Sequence, residues 1–322
     1  MFVQRVHFGC SRCGACCNST PQMSLPELFR HQTRFVGCLS TRRLAEPPAG
    51  IDARALADLH AFFSRYAQRS TSRGAGYYVL LTAQAYGDPL AAACPALSAD
   101  KLCTLQDNGK PLACRVVPLE ATQPDLFQLS ILQGRAREAE YMGADCIQLR
   151  SGPEPVVETA RNGSTVPRQL PVLVEGPRIL EPEARRALEL RRASLFRDRL
   201  HWGDRVFELL RHDLFEHPER VPEQGYLCLP LAPALSVISA FSNALTRRVV
   251  EYLTAQIELI ALTLGAPVKE PTQAHRELAG MLRVNLNLRT KLQSARPLPE
   301  PQPNATEVEA WLAGQGLEAS VG

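Results

Sequence analysis

The sequence contains no apolar run long enough to cross a membrane. The most apolar stretch, Leu229 to Leu245, carries Ser236, Ser239, Ser242 and Asn243 and is followed by Arg247 and Arg248. It falls short of the roughly 20 apolar residues that a spanning helix needs. A surplus of one charge is missing too: 36 Lys and Arg stand against 33 Asp and Glu, a formal net charge of +3. The basic residues are spread rather than gathered into one block, so nucleic acid is not an expected partner, and neither is a membrane. There is no Gly-rich phosphate loop, no His-Glu-x2-His helix, no nucleophile elbow and no internal repeat. Met1 to His7 show none of the charged, apolar and small-residue blocks of a secretion signal, and the expected location is the cytoplasm.

Cysteine, by contrast, is plentiful. Nine of the ten cysteines lie between Cys10 and Cys146, and only Cys228 falls in the longer remainder. In a reducing compartment such a set reads as metal ligands or redox groups before it reads as disulfides. The background is that of an ordinary folded chain: 322 residues, 45% hydrophobic, 21% charged, mean hydropathy −0.14. That length suggests two domains.

The expected fold class is α+β, a small cysteine-rich metal-binding domain followed by an all-helical domain. Residues 1–152 form the first, 153–182 a Pro-rich connection, 183–295 the helical domain, and 296–322 a Pro-rich tail with a short helix. Ser24 with Glu27 has the form of a capping box, which predicts a short helix from Leu25 to about Gln32. Leu56, Leu59, Phe62, Phe63 and Tyr66 recur at helical spacing and predict a helix from Asp52 to about Arg69. Tyr77 to Leu81 and the weakly alternating Leu126 to Leu132 are strand candidates. Six prolines between Pro153 and Pro182 suggest an extended connection. Beyond it, Glu183 to Leu200, Arg205 to Phe215, Ala234 to Leu264 and Ala274 to Leu292 read as helices of a bundle. Thr306 and Glu309 suggest a second capping box near the end.

Cys10, Cys13 and Cys16 follow the pattern Cys-x2-Cys-x2-Cys, which lets one tight loop turn three sulfurs toward a common centre, with Gly14 relieving the turn. Cys17 is adjacent to Cys16. Neighbouring Cα atoms are about 3.8 Å apart and their side chains diverge, so the pair is not expected to serve one ion. Either there is more than one metal centre, or Cys17 is a reactive thiol beside a cluster; a vicinal disulfide would be strained. Cys94, Cys103, Cys114 and Cys146 are spaced too widely for a zinc finger, and the fold must bring them together. Arg12 and Arg115 sit beside ligands and are candidates to offset the charge of an anionic centre or to hold a cofactor.

Phe8-x-Cys10-x2-Cys13-Gly-x-Cys16-Cys17, followed by Cys94, Cys103 and the run from Lys110-Pro-Leu-Ala-Cys114 to Pro118, resembles the CxxCxxCC cysteine-cluster family, called YkgJ-like and described as a zinc- or iron-chelating domain. The resemblance covers about Phe8 to Gly152. It implies metal binding by Cys10, Cys13, Cys16, Cys17, Cys94, Cys103 and Cys114, with Cys146 standing where members often have a further cysteine. Flagellin lysine-N-methylases, relatives of that family, are regarded as iron-sulfur proteins that methylate lysines. This chain departs from them in the compact form of its first motif.

Zinc commonly mixes His with Cys and closes at four ligands. The ligand segments here have only His7 nearby, and eight thiolates exceed one zinc. An iron-sulfur cluster is therefore the preferred cofactor, with zinc or mononuclear iron as alternatives. The functional expectation is a metal-binding protein holding an iron-sulfur or multinuclear iron centre, with redox or group-transfer chemistry on an unknown protein or small-molecule substrate. A lysine methyltransferase-like enzyme using S-adenosylmethionine and a non-catalytic zinc-stapled interaction module are the alternatives. Solvated side chains are expected for Arg135, Arg137, Glu120 and Asp145, and surface positions for His201, His212 and His217. Tyr141 and Met142 are expected in core packing, and Cys38 and Cys228 as buried free thiols without motif partners.

Overall fold

The computed structural model describes residues 4–10, 14, 20–45, 52–70, 77–87, 94–100, 102–137, 146–151, 171–212, 214, 220–222, 225–265 and 270–316. Elements run in the order β1 (Gln4–Phe8), α1 (Leu25–Arg30), β2 (Gly37–Ala45), α2 (Ala53–Ser64), β3 (Ala67–Ser70), β4 (Tyr77–Ala85), α3 (Leu112–Val116), α4 (Asp125–Arg137) and β5 (Ile147–Ser151). Then follow β6 (Val172–Glu175), β7 (Arg178–Ile179), α5 (Pro182–Asp198), α6 (Asp204–Leu209), β8 (Leu227–Pro230), α7 (Ala232–Ser239), α8 (Asn243–Leu264), α9 (Gln273–Ser294) and α10 (Ala305–Leu312). The protein is α+β, as expected.

Two compact units interleave along the chain, where the sequence suggests consecutive domains. One comprises Met1–Pro21, Ala92–Ala193 and Glu318–Gly322; the other comprises Gln22–Ala91 and Ser194–Leu317. The boundary between Ala193 and Ser194 falls inside α5.

The first unit is built on an antiparallel sheet in the order β5-β1-β6-β7. Val6 and Phe8 of β1 are buried and alternate with the partly exposed Arg5 and His7; Val172 and Val174 of β6 alternate in the same way with Leu173 and Glu175. Such alternation marks a sheet with one face packed. On the more open face Arg5 lies directly opposite Glu175 and pairs with it at 2.6 Å. Helix α4 packs against this sheet. It takes the residues Leu126 to Leu132 that alternation suggested as a strand. Asp125 lies in its first turn, and its buried residues, Gln128 and Leu132, stand four apart on one helical stripe. Within the expected Pro-rich connection, β6 and β7 form a hairpin that adds two strands to the sheet.

The second unit has an antiparallel sheet in the order β3-β4-β2-β8. Every residue of the nine-residue β4 is buried, and the strand predicted at Tyr77 to Leu81 is its first part. Helix α1 carries the predicted capping box, with the Ser24 hydroxyl accepting from the Glu27 amide and the Glu27 carboxylate accepting from the Ser24 amide at 2.7 Å. Helix α2 stops at Ser64 rather than near Arg69, because Ala67–Ser70 pair with β4. The stretch Ala234 to Leu264 is two helices. Ser242 adopts extended geometry and its side chain caps α8 by accepting from the Leu245 amide at 3.1 Å. Thr306 and Glu309 make no capping box. Asn304 precedes α10, and the Glu309 carboxylate accepts from the Ser242 hydroxyl at 2.5 Å. Strand β8 interrupts the region expected to be all helical.

Candidate metal centre

The first unit contains all five described cysteines of the expected ligand set, Cys10, Cys94, Cys103, Cys114 and Cys146. Chain connectivity makes this collection non-trivial: after Pro21 the chain builds β2, β3 and β4 of the other unit and returns at Ala92, two residues before Cys94.

Cys10 and Cys146 are placed by the β1–β5 pair. Phe8 opposes Ile147 at the end of the ladder, and the Gly9 amide donates to the Cys146 carbonyl at 2.9 Å. Cys10 thus leaves β1 at the end where Cys146 enters β5. Cys10 is half-buried and Cys146 is 4% exposed.

Cys94 and Cys103 share a small loop. The Cys94 carbonyl accepts from the Leu97 amide at 2.8 Å, Leu97 bridges to Cys103, and the Thr104 amide returns to the Ala96 carbonyl at 2.8 Å. Ser98 closes the tip, its amide donating to the Leu102 carbonyl at 2.8 Å and its hydroxyl accepting from the Leu102 amide at 3.0 Å. Both cysteines are half-buried.

Cys114 lies in the first turn of α3, its amide donating to the Pro111 carbonyl at 2.9 Å. The chain after it is clamped. Arg135 donates to the Pro118 carbonyl and pairs with Glu120 at 3.3 Å, while the Glu120 carboxylate also accepts from the Thr122 hydroxyl at 2.8 Å. The fully buried Gln128 donates to the carbonyls of Glu120 at 2.8 Å and Gln123 at 3.1 Å and accepts from the Glu120 amide at 2.9 Å. Arg192 adds a bond to the Gln123 carbonyl at 2.7 Å and an ion pair with Asp125 at 2.8 Å. Arg135 and Glu120 are therefore half-buried partners rather than solvated charges. A loop whose carbonyls point inward leaves those carbonyls in need of donors, and these side chains supply them.

Arg115 is exposed. Arg12, Cys13, Cys16 and Cys17 lie outside the described residues, as do Tyr141, Met142, Asp145 and His217. Gly14 is described. Its φ of 79° is a backbone conformation that other residues adopt only at a cost, which agrees with its expected role in the turn. Among the described residues no group of three His, Cys, Asp or Glu side chains is close enough to hold a metal ion.

Two expectations elsewhere are corrected. His201 is 4% exposed and packs on Trp311 with ring centroids 4.7 Å apart, because the turn Arg199–Gly203 is wound as a π-helix that directs His201 and Trp202 inward. Cys38 and Cys228 are free thiols, as expected, but Cys228 is only half-buried, and their sulfurs lie 3.7 Å apart in the second unit. The sequence signal for that pair is weak, a short run Leu-Cys-Leu-Pro after Gly225 that becomes the edge strand β8. The second unit also has a cavity of about 270 Å³ lined in part by Arg30, Arg248 and Glu251, which contains none of the expected site residues. No family model matches the chain, and no curated protein or solved structure matches it either.

Proposed function

We propose that the chain is a thiolate metalloprotein whose first unit holds iron in an iron-sulfur or multinuclear centre. The observation that carries the reading is the return of the chain at Ala92, which gathers cysteines spread from Cys10 to Cys146 into one unit and leaves Cys38 and Cys228 in the other.

The donor chemistry fits such a group. The described ligands are all thiols, half-buried or buried, a soft set suited to iron-sulfur or zinc rather than to hard cations. With no described cluster of three donors, the reading requires Cys13, Cys16 and Cys17 to complete the centre alongside Cys10, Cys94, Cys103, Cys114 and Cys146. Eight thiolates exceed the four that one zinc takes, which favours iron over zinc. A bound iron-sulfur cluster would supply one-electron transfer at a potential tuned by hydrogen bonds and burial. The chain's own contribution is to hold the ligands: the β1–β5 ladder sets Cys10 and Cys146, the small loop sets Cys94 and Cys103, and the clamp behind Pro118 sets the exit from Cys114. Arg115, next to a ligand, and Arg12 offset the negative charge of an all-thiolate centre.

Anaerobic purification, with iron, sulfide and zinc measured per chain and visible absorption recorded, tests the proposal. A brown protein with stoichiometric iron and sulfide is expected. A colourless protein with stoichiometric zinc overturns the iron centre and supports a structural staple. A chain that takes up neither metal after anaerobic reconstitution overturns the metalloprotein reading altogether.

A further inference from the structure

The second unit places two thiols together with no part in the proposed metal centre. Cys38 lies on β2 and Cys228 on β8, and the register sets Cys38 opposite Pro230 and Ser40 opposite Cys228. Cys38 and Ser40 share a face of β2, so the two cysteines are diagonal neighbours on that face. Their sulfurs are 3.7 Å apart, and the Cys38 thiol donates to Cys228.

The two thiols differ in access. Cys38 is fully buried in a cluster with Tyr86, Ile260, Leu278 and Met281, whereas Cys228 is half-buried on the edge strand of its sheet. The charge of Glu277 acts on both thiols, and its carboxylate accepts from the Tyr86 hydroxyl at 2.8 Å and from Gln273 at 2.9 Å. A buried donor thiol beside a reachable acceptor thiol is the arrangement of a resolving and an attacking cysteine.

We propose that Cys38 and Cys228 form a redox-active dithiol that reduces low-molecular-weight disulfides, with Cys228 attacking and Cys38 resolving. The Cys228 thiolate attacks one sulfur of the disulfide RSSR, forming a mixed disulfide and expelling RS⁻. The Cys38 sulfur then attacks Cys228 Sγ, forming the Cys38–Cys228 bond and expelling the second RS⁻, which takes the Cys38 proton. The chain loses two electrons and two protons, and one RSSR becomes two RSH. The sulfurs must close from 3.7 Å to about 2.05 Å; diagonal neighbours stand about 7–8 Å apart, at the outer limit of a disulfide's span, so closure takes a shift of the edge strand β8 toward β2 as well as side-chain rotation. The ionisation of the pair agrees with these roles. The hydrogen bond from Cys38 lowers the Cys228 pKa against the opposing effects of burial and Glu277. The same bond, with burial, raises that of Cys38 well above its ordinary value.

Cystamine, a small cationic disulfide suited to a site under the negative charge of Glu277, is the probe. Full-length protein is treated with it, quenched in acid, unfolded, alkylated and mapped by peptide mass spectrometry. The wild type is expected to yield the Cys38 peptide joined to the Cys228 peptide. In Cys38→Ser, Cys228 is expected to stop at the mixed disulfide, and in Cys228→Ser the oxidation rate of Cys38 falls at least about tenfold. Recovery of both cysteines in alkylated form from the wild type overturns the proposal. So does their bonding to other cysteines, or a wild-type Cys228 that remains a mixed disulfide. The wild-type map decides alone should a variant fail to fold, and because it follows two residues outside the metal ligands its result is independent of metal loading.

Discussion

The Gly9 amide donates to the Cys146 carbonyl at 2.9 Å, one step past the last residue pair of the β1–β5 ladder. This bond ties the first and last cysteines of the proposed ligand set to one end of the β1–β5 ladder. Cys10→Ser and Cys146→Ser are therefore expected to lower bound metal, each by at least about half, because loss of one thiolate opens a site that other ligands cannot close. Cys38→Ser and Cys228→Ser should leave the metal content unchanged. Elemental analysis of the four variants after identical anaerobic purification checks both halves. Equal metal in all four would show that the described cysteines of the first unit are not ligands.

The clamp around Glu120 makes a second prediction. Gln128 is fully buried and serves two carbonyls and one amide of the loop that follows Cys114. Replacing it with Leu keeps the volume and removes the partners, so each buried backbone group loses its hydrogen bond. The expected cost is about 2–3 kcal/mol. Denaturant unfolding measures that loss, and faster metal transfer to a chelator should accompany it. Gln128→Glu retains the acceptor but not the two N–H donors, and should recover little.

Gly37 begins β2 against the Tyr252 hydroxyl. A Cβ there would sit 2.2 Å from the Tyr252 hydroxyl, 3.1 Å from Leu231 Cδ2 and 3.2 Å from Leu28 Cδ1. Its amide donates to Gln256 Oε1 at 2.7 Å, which holds the strand end in place and prevents an easy retreat. Gly37→Ala should destabilise the protein by about 1–3 kcal/mol through overpacking. The Tyr252 hydroxyl is buried with no hydrogen-bond partner among the described residues, so Tyr252→Phe should be close to neutral. The double variant should then lose less than Gly37→Ala alone, with a coupling of about 0.5–3 kcal/mol in a double-mutant cycle. Additive effects would mean that the clash is relieved elsewhere.

These sites differ in how far the sequence discloses them. Ser24 and Glu27 are legible because a capping box is decided by residues three apart, and Tyr77 to Leu81 because aromatic and β-branched residues fill a buried strand. Gly14 is legible because a tight turn between cysteines needs a residue that tolerates positive φ. Leu126 to Leu132 misleads because seven residues fit a weak period of two nearly as well as a period of 3.6, and the buried pair Gln128 and Leu132 includes a polar residue that hydrophobicity counts against the core. The interleaving of the units is not legible at all. It depends on Gln22–Ala91 pairing with β8, a strand of four residues whose partner lies far away in the chain. The Cys38–Cys228 contact inherits that difficulty, since no local pattern announces a pair 190 residues apart.

His201 supplies the last prediction, on pH. Its ring is buried against Trp311, and burial lowers its pKa below the ordinary value; the charge of Arg197 acts in the same direction, and Glu307, 3.9 Å away and largely exposed, opposes it. The folded state therefore favours the neutral ring, while the unfolded chain takes up a proton near the ordinary value of about 6.5. Between the two values the unfolded state binds more protons, so stability is full above about pH 6.5 and declines as the pH falls toward the lower folded value. Below both values the loss levels off. Melting temperatures measured across this range should fall more steeply in the wild type than in His201→Phe, which keeps an aromatic ring beside Trp311 and has nothing to protonate. Parallel pH profiles for the two proteins would place the titrating group elsewhere in the chain.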